Sequence, residues 1–153
     1  MKLTVVGGTG MIGGRLVSQL RDRGHEVVVA TQFFEFIRSI TAAATRSNVA
    51  HVADVLIQPM AADDVAAAVA LTALGAPVGD VVEFAGPEVF ELGELSRREL
   101  RFRGDEREVV ADPLGTYFGA ELGRRDLLPG PAATLSTTRF HDWQVHATGG
   151  TIG

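Results

Sequence analysis

The sequence contains no cysteine, and only one of its fourteen basic residues, Lys2, is a lysine. The missing cysteines exclude disulfides, thiol catalysis and thiolate metal sites, and they are typical of a reducing compartment. No apolar run approaches the roughly 20 residues of a membrane span, and the N-terminus leads into a predicted strand rather than a signal peptide. We therefore expect a cytoplasmic protein with no membrane partner.

An excess of positive charge is also missing, because the formal net charge is -5 at pH 7. Binding to a phosphate backbone depends on clustered lysines and arginines, so we expect no nucleic-acid partner. The one visible basic cluster, from Arg97 to Arg103, is interleaved with Glu94 and Glu99, which predicts a solvated helix face. A length of 153 residues with 46 % hydrophobic residues predicts a single globular domain over residues 1–153.

A glycine-rich turn near the N-terminus is the most informative pattern that is present. The apolar run Leu3 to Val6 predicts a buried parallel strand in the centre of a sheet, and a helix is predicted from Met11 to Arg23. Glycines at GxxGxxG spacing between them permit a tight turn and a close approach of the backbone to a diphosphate, whose charge the helix N-terminus stabilises. The same glycines are also compatible with a simple tight connection. The predicted cofactor-binding residues are Gly7, Gly8, Thr9, Gly10, Met11, Ile12 and Gly13.

Alternating strand and helix patterns continue along the chain and predict an α/β fold. A second strand over Glu26 to Ala30 completes a βαβ unit, so we expect a Rossmann-like, mostly parallel sheet flanked by helices. From Gly115 the periodicity weakens, so we expect mostly loop with a turn of helix around residues 119–125, and an irregular tail from about residue 128. The further predicted elements are a helix over 32–44 with Thr31 as N-cap, a strand within 48–59, a helix that starts within 61–65, is capped by Asp63 or Asp64 and runs to about residue 74, a strand over 81–85, a helix over 90–102 and a strand over 108–111.

Several segments together resemble the atypical short-chain dehydrogenase/reductases, and in particular the NmrA-like NAD(P)-binding proteins. The segments are Gly7 to Gly13, Thr31 to Phe36, Leu56 to Ala66, Phe84 to Glu88 and Arg139 to Trp143. The resemblance implies an oxidoreductase-like protein that binds NADP or NAD. It also implies a shortened chain, because in that family a long stretch with three further strands lies between the segments that match Ala30 and Thr31.

The usual catalytic pair of such reductases is absent from the sequence. A tyrosine acid needs a lysine four residues later to lower its pKa, but Glu121 stands four residues after Tyr117, the only tyrosine. The standard TyrxxxLys mechanism is therefore excluded. Three hypotheses stay open: an enzyme without this pair, a non-catalytic nucleotide-binding or redox-sensing module, and a scaffold that binds nothing.

The remaining candidate residues favour structural roles. Asp63 and Asp64 precede a predicted helix with no histidine nearby, so capping is the better interpretation than acid/base chemistry, and the four histidines lack metal-binding spacing. Phe33 and its aromatic neighbours are typical of a core, although the resemblance implies that Gln32 and Phe33 line a small-molecule substrate pocket. Missing central strands would expose sheet edges, so we expect a homodimer.

Overall fold

A computed structural model of the chain describes residues 2–6, 11–23, 26–76 and 81–149. Within these ranges the chain forms nine strands and five α-helices. The strands are β1 Lys2–Val6, β2 Glu26–Ala30, β3 Thr45–Arg46, β4 Val49–Ala53, β5 Leu56–Ile57, β6 Val81–Ala85, β7 Phe90–Glu91, β8 Glu108–Asp112 and β9 Thr134–Leu135. The helices are α1 Met11–Asp22, α2 Ile37–Ala43, α3 Ala62–Leu74, α4 Leu92–Phe102 and α5 Phe140–Gly149.

The largest sheet of the described residues is parallel throughout and has the strand order β1-β2-β6-β9. The α1 side chains Val17 and Leu20 pack against Val27 and Val29 of β2, as the helical spacing predicts. The α/β, Rossmann-like fold class with a mostly parallel sheet and flanking helices is therefore confirmed. The helix predicted from Met11 to Arg23 is observed as α1, which ends one residue earlier at Asp22.

The expected central position of β1 is wrong. β1 lies at one end of the four-stranded sheet and pairs with β2 alone among the described strands. Buried parallel strands and edge strands share the same β-branched composition, so the apolar run in β1 cannot distinguish the two positions.

A second, three-stranded sheet of order β3-β4-β8 carries the largest core cluster. α2 and α4 cover this sheet, with fully buried side chains at Ile37, Val52 and Leu95. The cluster also receives Phe140 of α5, so the tail is anchored in the core. The expectation of an irregular tail from about residue 128 is wrong for β9 and α5, and residues 119–125 contain no helical turn.

The loop after β2 differs from the predicted helix over 32–44. A 3₁₀ turn covers Phe34–Phe36 before α2 begins at Ile37. Thr31 does not cap a helix, because its hydroxyl donates instead to the Gln58 carbonyl at 2.7 Å. The predicted strand within 48–59 is divided into β4 and β5, and the predicted helix over 90–102 begins only after the short strand β7.

α3 begins at Ala62, within the predicted segment, but neither Asp63 nor Asp64 caps it. The N-cap Ala61 has no side-chain cap, and the Ala62 amide donates to the Glu35 carboxylate at 3.3 and 3.2 Å. Asp64 accepts hydrogen bonds from the amide and hydroxyl of Thr138 at 3.2 and 3.0 Å. A carboxylate distant in sequence therefore satisfies the helix end, and Asp64 fixes the segment before α5.

Candidate functional site

The carboxyl ends of the parallel strands bring four chain segments to one edge of the large sheet. Val6, Ala30, Ala85 and Leu135 are the last residues of β1, β2, β6 and β9. Ligands of open α/β sheets bind at this edge, outside the carboxyl ends of the strands. The edge is therefore the place at which the predicted site residues have to be located.

The glycine turn itself is only partly described. Gly7, Gly8, Thr9 and Gly10 lie outside the described residues, whereas Met11–Gly13 open helix α1 directly after them. The first amides of an α-helix have no partner within the helix, so those of Met11, Ile12 and Gly13 are available by geometry to an acceptor. The segment connects two paired parallel strands, β1 and β2, as a phosphate-binding βαβ unit requires.

Gln32 carries an unusual polar group at this edge. Its side-chain oxygen Oε1 is buried and accepts no hydrogen bond from any described residue. Its backbone carbonyl accepts from the Met60 amide at 2.8 Å, which fixes the residue in place. A buried acceptor without a donor costs about 1–3 kcal/mol, and natural folds usually avoid this cost.

Ser136, the residue after β9, shows the same feature. Its amide donates to the Ala85 carbonyl at 2.8 Å, while its buried hydroxyl has no partner among the described residues. Gln32 and Ser136 thus place two unsatisfied polar groups at the carboxyl edge of one sheet. Both atoms are buried in the free chain, so a ligand would contact them only after neighbouring side chains move.

The loop between the two groups is held by a buried network. Thr31 donates to the Gln58 carbonyl, and the Gln58 side-chain amide donates to the Gly86 carbonyl at 2.8 Å. Gly86 has to be glycine, because an added Cβ would lie 1.7 Å from the Pro59 carbonyl oxygen. The edge is therefore rigid at the ends of β2 and β6.

The structure separates the roles of the two predicted substrate residues, Gln32 and Phe33. The ring of Phe33 stacks on Phe36 with 5.4 Å between centroids, and it packs against the buried residues Ala30 and Met60. These contacts give Phe33 a packing role. The unsatisfied oxygen of Gln32 has no comparable structural role.

A separate cavity of about 340 Å³ opens at the three-stranded sheet and was not expected from the sequence. His51 and Asp112 line it, with 3.7 Å between Nδ1 and Oδ2. The two residues share one face because β4 and β8 pair in parallel register, with Ala53 opposite Asp112. Both side chains are partly exposed, so this ion pair contributes little to stability. Paired residues of the two strands, such as Val49 and Glu108, lie 59 positions apart in the chain, so no local pattern in the sequence reveals the register.

Tyr117 lies in a tight turn beside this second cavity rather than at the carboxyl edge of the large sheet. Tyr117 and Ala120 exchange two backbone hydrogen bonds, and the intervening Phe118 and Gly119 have φ of 49° and 83°. Burial raises the pKa of Tyr117 above its ordinary value. A catalytic tyrosine acid needs the opposite shift, so the position and the environment of Tyr117 agree with the missing TyrxxxLys pair.

The described residues were also compared with the requirements of a metal site and of a membrane-spanning helix. No cluster of three histidine or acidic side chains there has the geometry to hold a metal ion. Among the helices in the same part of the chain, none has the length and hydropathy to span a membrane.

No protein-family model matches the sequence, and no curated protein does so either. The fold is similar to a crystal structure of a nucleoside-diphosphate-sugar epimerase from Staphylococcus aureus, with 13 % sequence identity and a TM-score of 0.49. The similarity covers 72 % of this chain but only 44 % of the epimerase, so the chain spans less than half of that protein. The chain's own strand order and hydrogen bonds, rather than this likeness, therefore carry the functional argument.

Proposed function

We propose that the chain is an NAD(P)-binding protein of the oxidoreductase type, related to the atypical short-chain dehydrogenase/reductases with NmrA-like sequences. The single observation that carries this proposal is the GxxGxxG spacing between two paired parallel strands, β1 and β2. In the proposed complex, Gly7 to Gly10 allow the diphosphate to approach, and the first amides of α1 donate to its oxygens.

The groups at the carboxyl edge fit a nicotinamide half. The buried oxygen of Gln32 and the hydroxyl of Ser136 lack partners, and a carboxamide or ribose supplies both donors and acceptors. A bound nicotinamide supplies hydride transfer, while the protein orients the ring and excludes water.

The residues after β2 are less well suited to the adenosine half of the dinucleotide. We therefore expect the chain to discriminate weakly between NADP and NAD. The residue after β2 is Thr31, which is 1 % exposed and donates its hydroxyl proton to Gln58. The nearest carboxylate, Glu35, already accepts from the Ala62 amide and from Trp143 Nε1 at 3.0 Å. Neither residue is free to select a ribose hydroxyl or a 2′-phosphate.

A non-catalytic redox-sensing module is the second candidate function. It is favoured by the raised pKa of Tyr117 and by the location of this residue away from the carboxyl edge. A sensor needs to bind the reduced and oxidised cofactors with different affinities, but it does not need an acid to protonate a substrate.

Titration of the purified protein with NADPH and NADH tests the proposal and separates the two candidates. Trp143 stacks on Phe140 and bonds to Glu35 in the loop that follows β2, so its fluorescence is a suitable signal together with calorimetric heat. Consumption of reduced cofactor with a carbonyl or quinone supports the enzyme, and saturable binding without turnover supports the sensor. If neither NADPH nor NADH gives binding heat, the result contradicts the proposal.

We further propose that the chain forms a homodimer through β1. Among the described strands β1 has a ladder partner on one side only, and an uncovered strand edge is a template for pairing. Light scattering after size exclusion should give twice the chain mass of 16.2 kDa, and a monomer mass contradicts the dimer.

A further inference from the structure

A cleft of about 350 Å³ lies between α4 and α5. Its size is within the range of about 300–1,000 Å³ that is typical of small-molecule pockets. Three phenyl rings and three basic side chains line it: Phe90, Phe102, Phe140, Arg98, Arg101 and His141. The α4 residues are three and four positions apart, so they share one face of the helix.

The base of the cleft is rigid before any ligand binds. Phe140 is 2 % exposed and contacts Phe34 and Phe90 edge-on, with 5.2 and 5.9 Å between centroids. The buried carboxylate of Glu99 on α4 accepts a hydrogen bond from Gln144 on α5 at 2.7 Å. These contacts fix the two helices relative to each other, so the free-energy cost of ordering the cleft on ligand binding is small.

The basic groups of the cleft are available to an anion. The guanidinium of Arg101 has no hydrogen bond or ion pair with any described residue, and the Arg98 side chain uses only its Nε, which bonds to Glu94 at 2.9 Å. The guanidinium of Arg98 is held 5.6 Å above the Phe90 ring. A neighbouring arginine of the same helix, Arg97, differs, because its Nη1 donates to the Val109 carbonyl on β8.

The single carboxylate that lines the cleft is already bound. Glu88 accepts from Arg139 Nη1 at 3.2 Å and from the Phe140 amide at 3.1 Å. The cleft therefore presents positive charge above an aromatic base. A bare inorganic anion would use the charge but would leave the phenyl rings without a partner.

We propose that this cleft binds a small planar aromatic carboxylate. The ring packs against the partly exposed phenyl groups of Phe90 and Phe102, and the carboxylate accepts paired hydrogen bonds from the guanidinium groups of Arg98 and Arg101. One aromatic ring with a carboxylate matches the cleft in size, planarity and charge. The proposal does not depend on the dinucleotide site, which lies at the edge of another sheet.

Calorimetric titration of the full chain with benzoate tests the proposal, with Arg101→Gln as the variant. Arg101 has no partner to lose, so near-UV circular dichroism should show an intact fold, and benzoate affinity should fall about tenfold or more. Arg125→Gln is the matched control, because it removes an exposed arginine from a loop that does not line the cleft. This control should leave benzoate affinity unchanged, and NADPH binding should be unaffected in both variants.

Three further probes separate the parts of the proposal. Acetate and inorganic phosphate should bind at least about tenfold more weakly than benzoate, because they cannot use the rings. Phe102→Leu should lower the affinity for benzoate and leave the weak binding of phosphate unchanged. Absence of benzoate binding, an equal loss in Arg125→Gln, or equal affinity for benzoate and acetate would overturn the proposal.

Discussion

The two glutamines at the carboxyl edge should respond to the same substitution with opposite signs. Gln32 carries a buried oxygen without a donor, whereas the side-chain amide of Gln58 donates to the buried Gly86 carbonyl at 2.8 Å. Methionine has nearly the same shape as glutamine but no hydrogen-bonding oxygen or amide. Gln32→Met therefore removes an unsatisfied group, while Gln58→Met creates one.

The size of both effects follows from the cost of an unsatisfied buried group. An unsatisfied buried group costs about 1–3 kcal/mol. Because Gln32 as a whole is only half-buried, we expect its removal to raise the free energy of unfolding by an amount at the low end of this range, about 1 kcal/mol. Gln58→Met should lower it by about 1–2 kcal/mol, because the Gly86 carbonyl loses its donor.

Urea unfolding of the two variants without cofactor measures these changes. With a slope of about 2 kcal/mol/M, the midpoint should rise by about 0.5 M for Gln32→Met and should fall by at least as much for Gln58→Met. Gln32→Met should also lower NADPH affinity about tenfold, because the proposed ligand loses its acceptor. A fall in stability for Gln32→Met would refute the reasoning, since the oxygen would then have a stabilising partner in the free protein.

Three further predictions concern the described core and turns. Glu99→Ala should lower the free energy of unfolding by roughly 3 kcal/mol, because it deletes the buried acceptor shared by two side chains, whereas Glu99→Gln should cost less in the same urea assay. The hydrogen bond from Arg98 lowers the pKa of Glu94, so this pair stabilises the fold above the ordinary glutamate pKa of about 4.3 and loses its contribution as the pH falls through the lower pKa of the folded state. In Glu94→Gln the free energy of unfolding should therefore change less with pH in that window. An unchanged slope of the free energy of unfolding against pH would contradict this prediction. Gly86→Ala should destabilise by roughly 3 kcal/mol or more because its Cβ would overlap the Pro59 carbonyl, and a thermal midpoint equal to that of the parent chain would show that the turn relaxes.

Local patterns in the sequence are sufficient for most of the elements. The β-branched runs predict β2, β6 and β8, and the alanine-rich segment predicts α3 with its observed end at Leu74. Helix α5 is missed because the spacing of its buried residues, Phe140 and Gln144, gives too weak an apolar period. The aromatic contacts of Phe140 with Phe34 and Phe90 stabilise this helix, and they join segments far apart in the chain.

The candidate site is predictable only where it depends on local backbone geometry. The glycine spacing predicts the turn, and the strand and helix on either side of it are confirmed. The terminal position of β1, the exposed edge that it creates and the unsatisfied oxygen of Gln32 all depend on which strands pair. Strand pairing is set by contacts that are distant in sequence, such as the register of Val27 with Val81, and no local pattern encodes it.

Calorimetric titration of NADPH into the parent chain and into Gly10→Val tests the central claim most directly. A branched side chain at Gly10 would occupy the place of the diphosphate, so we expect saturable heat for the parent chain and none for the variant, with similar urea midpoints for both. Equal affinity in the two proteins would contradict the account, because the nucleotide would then bind elsewhere.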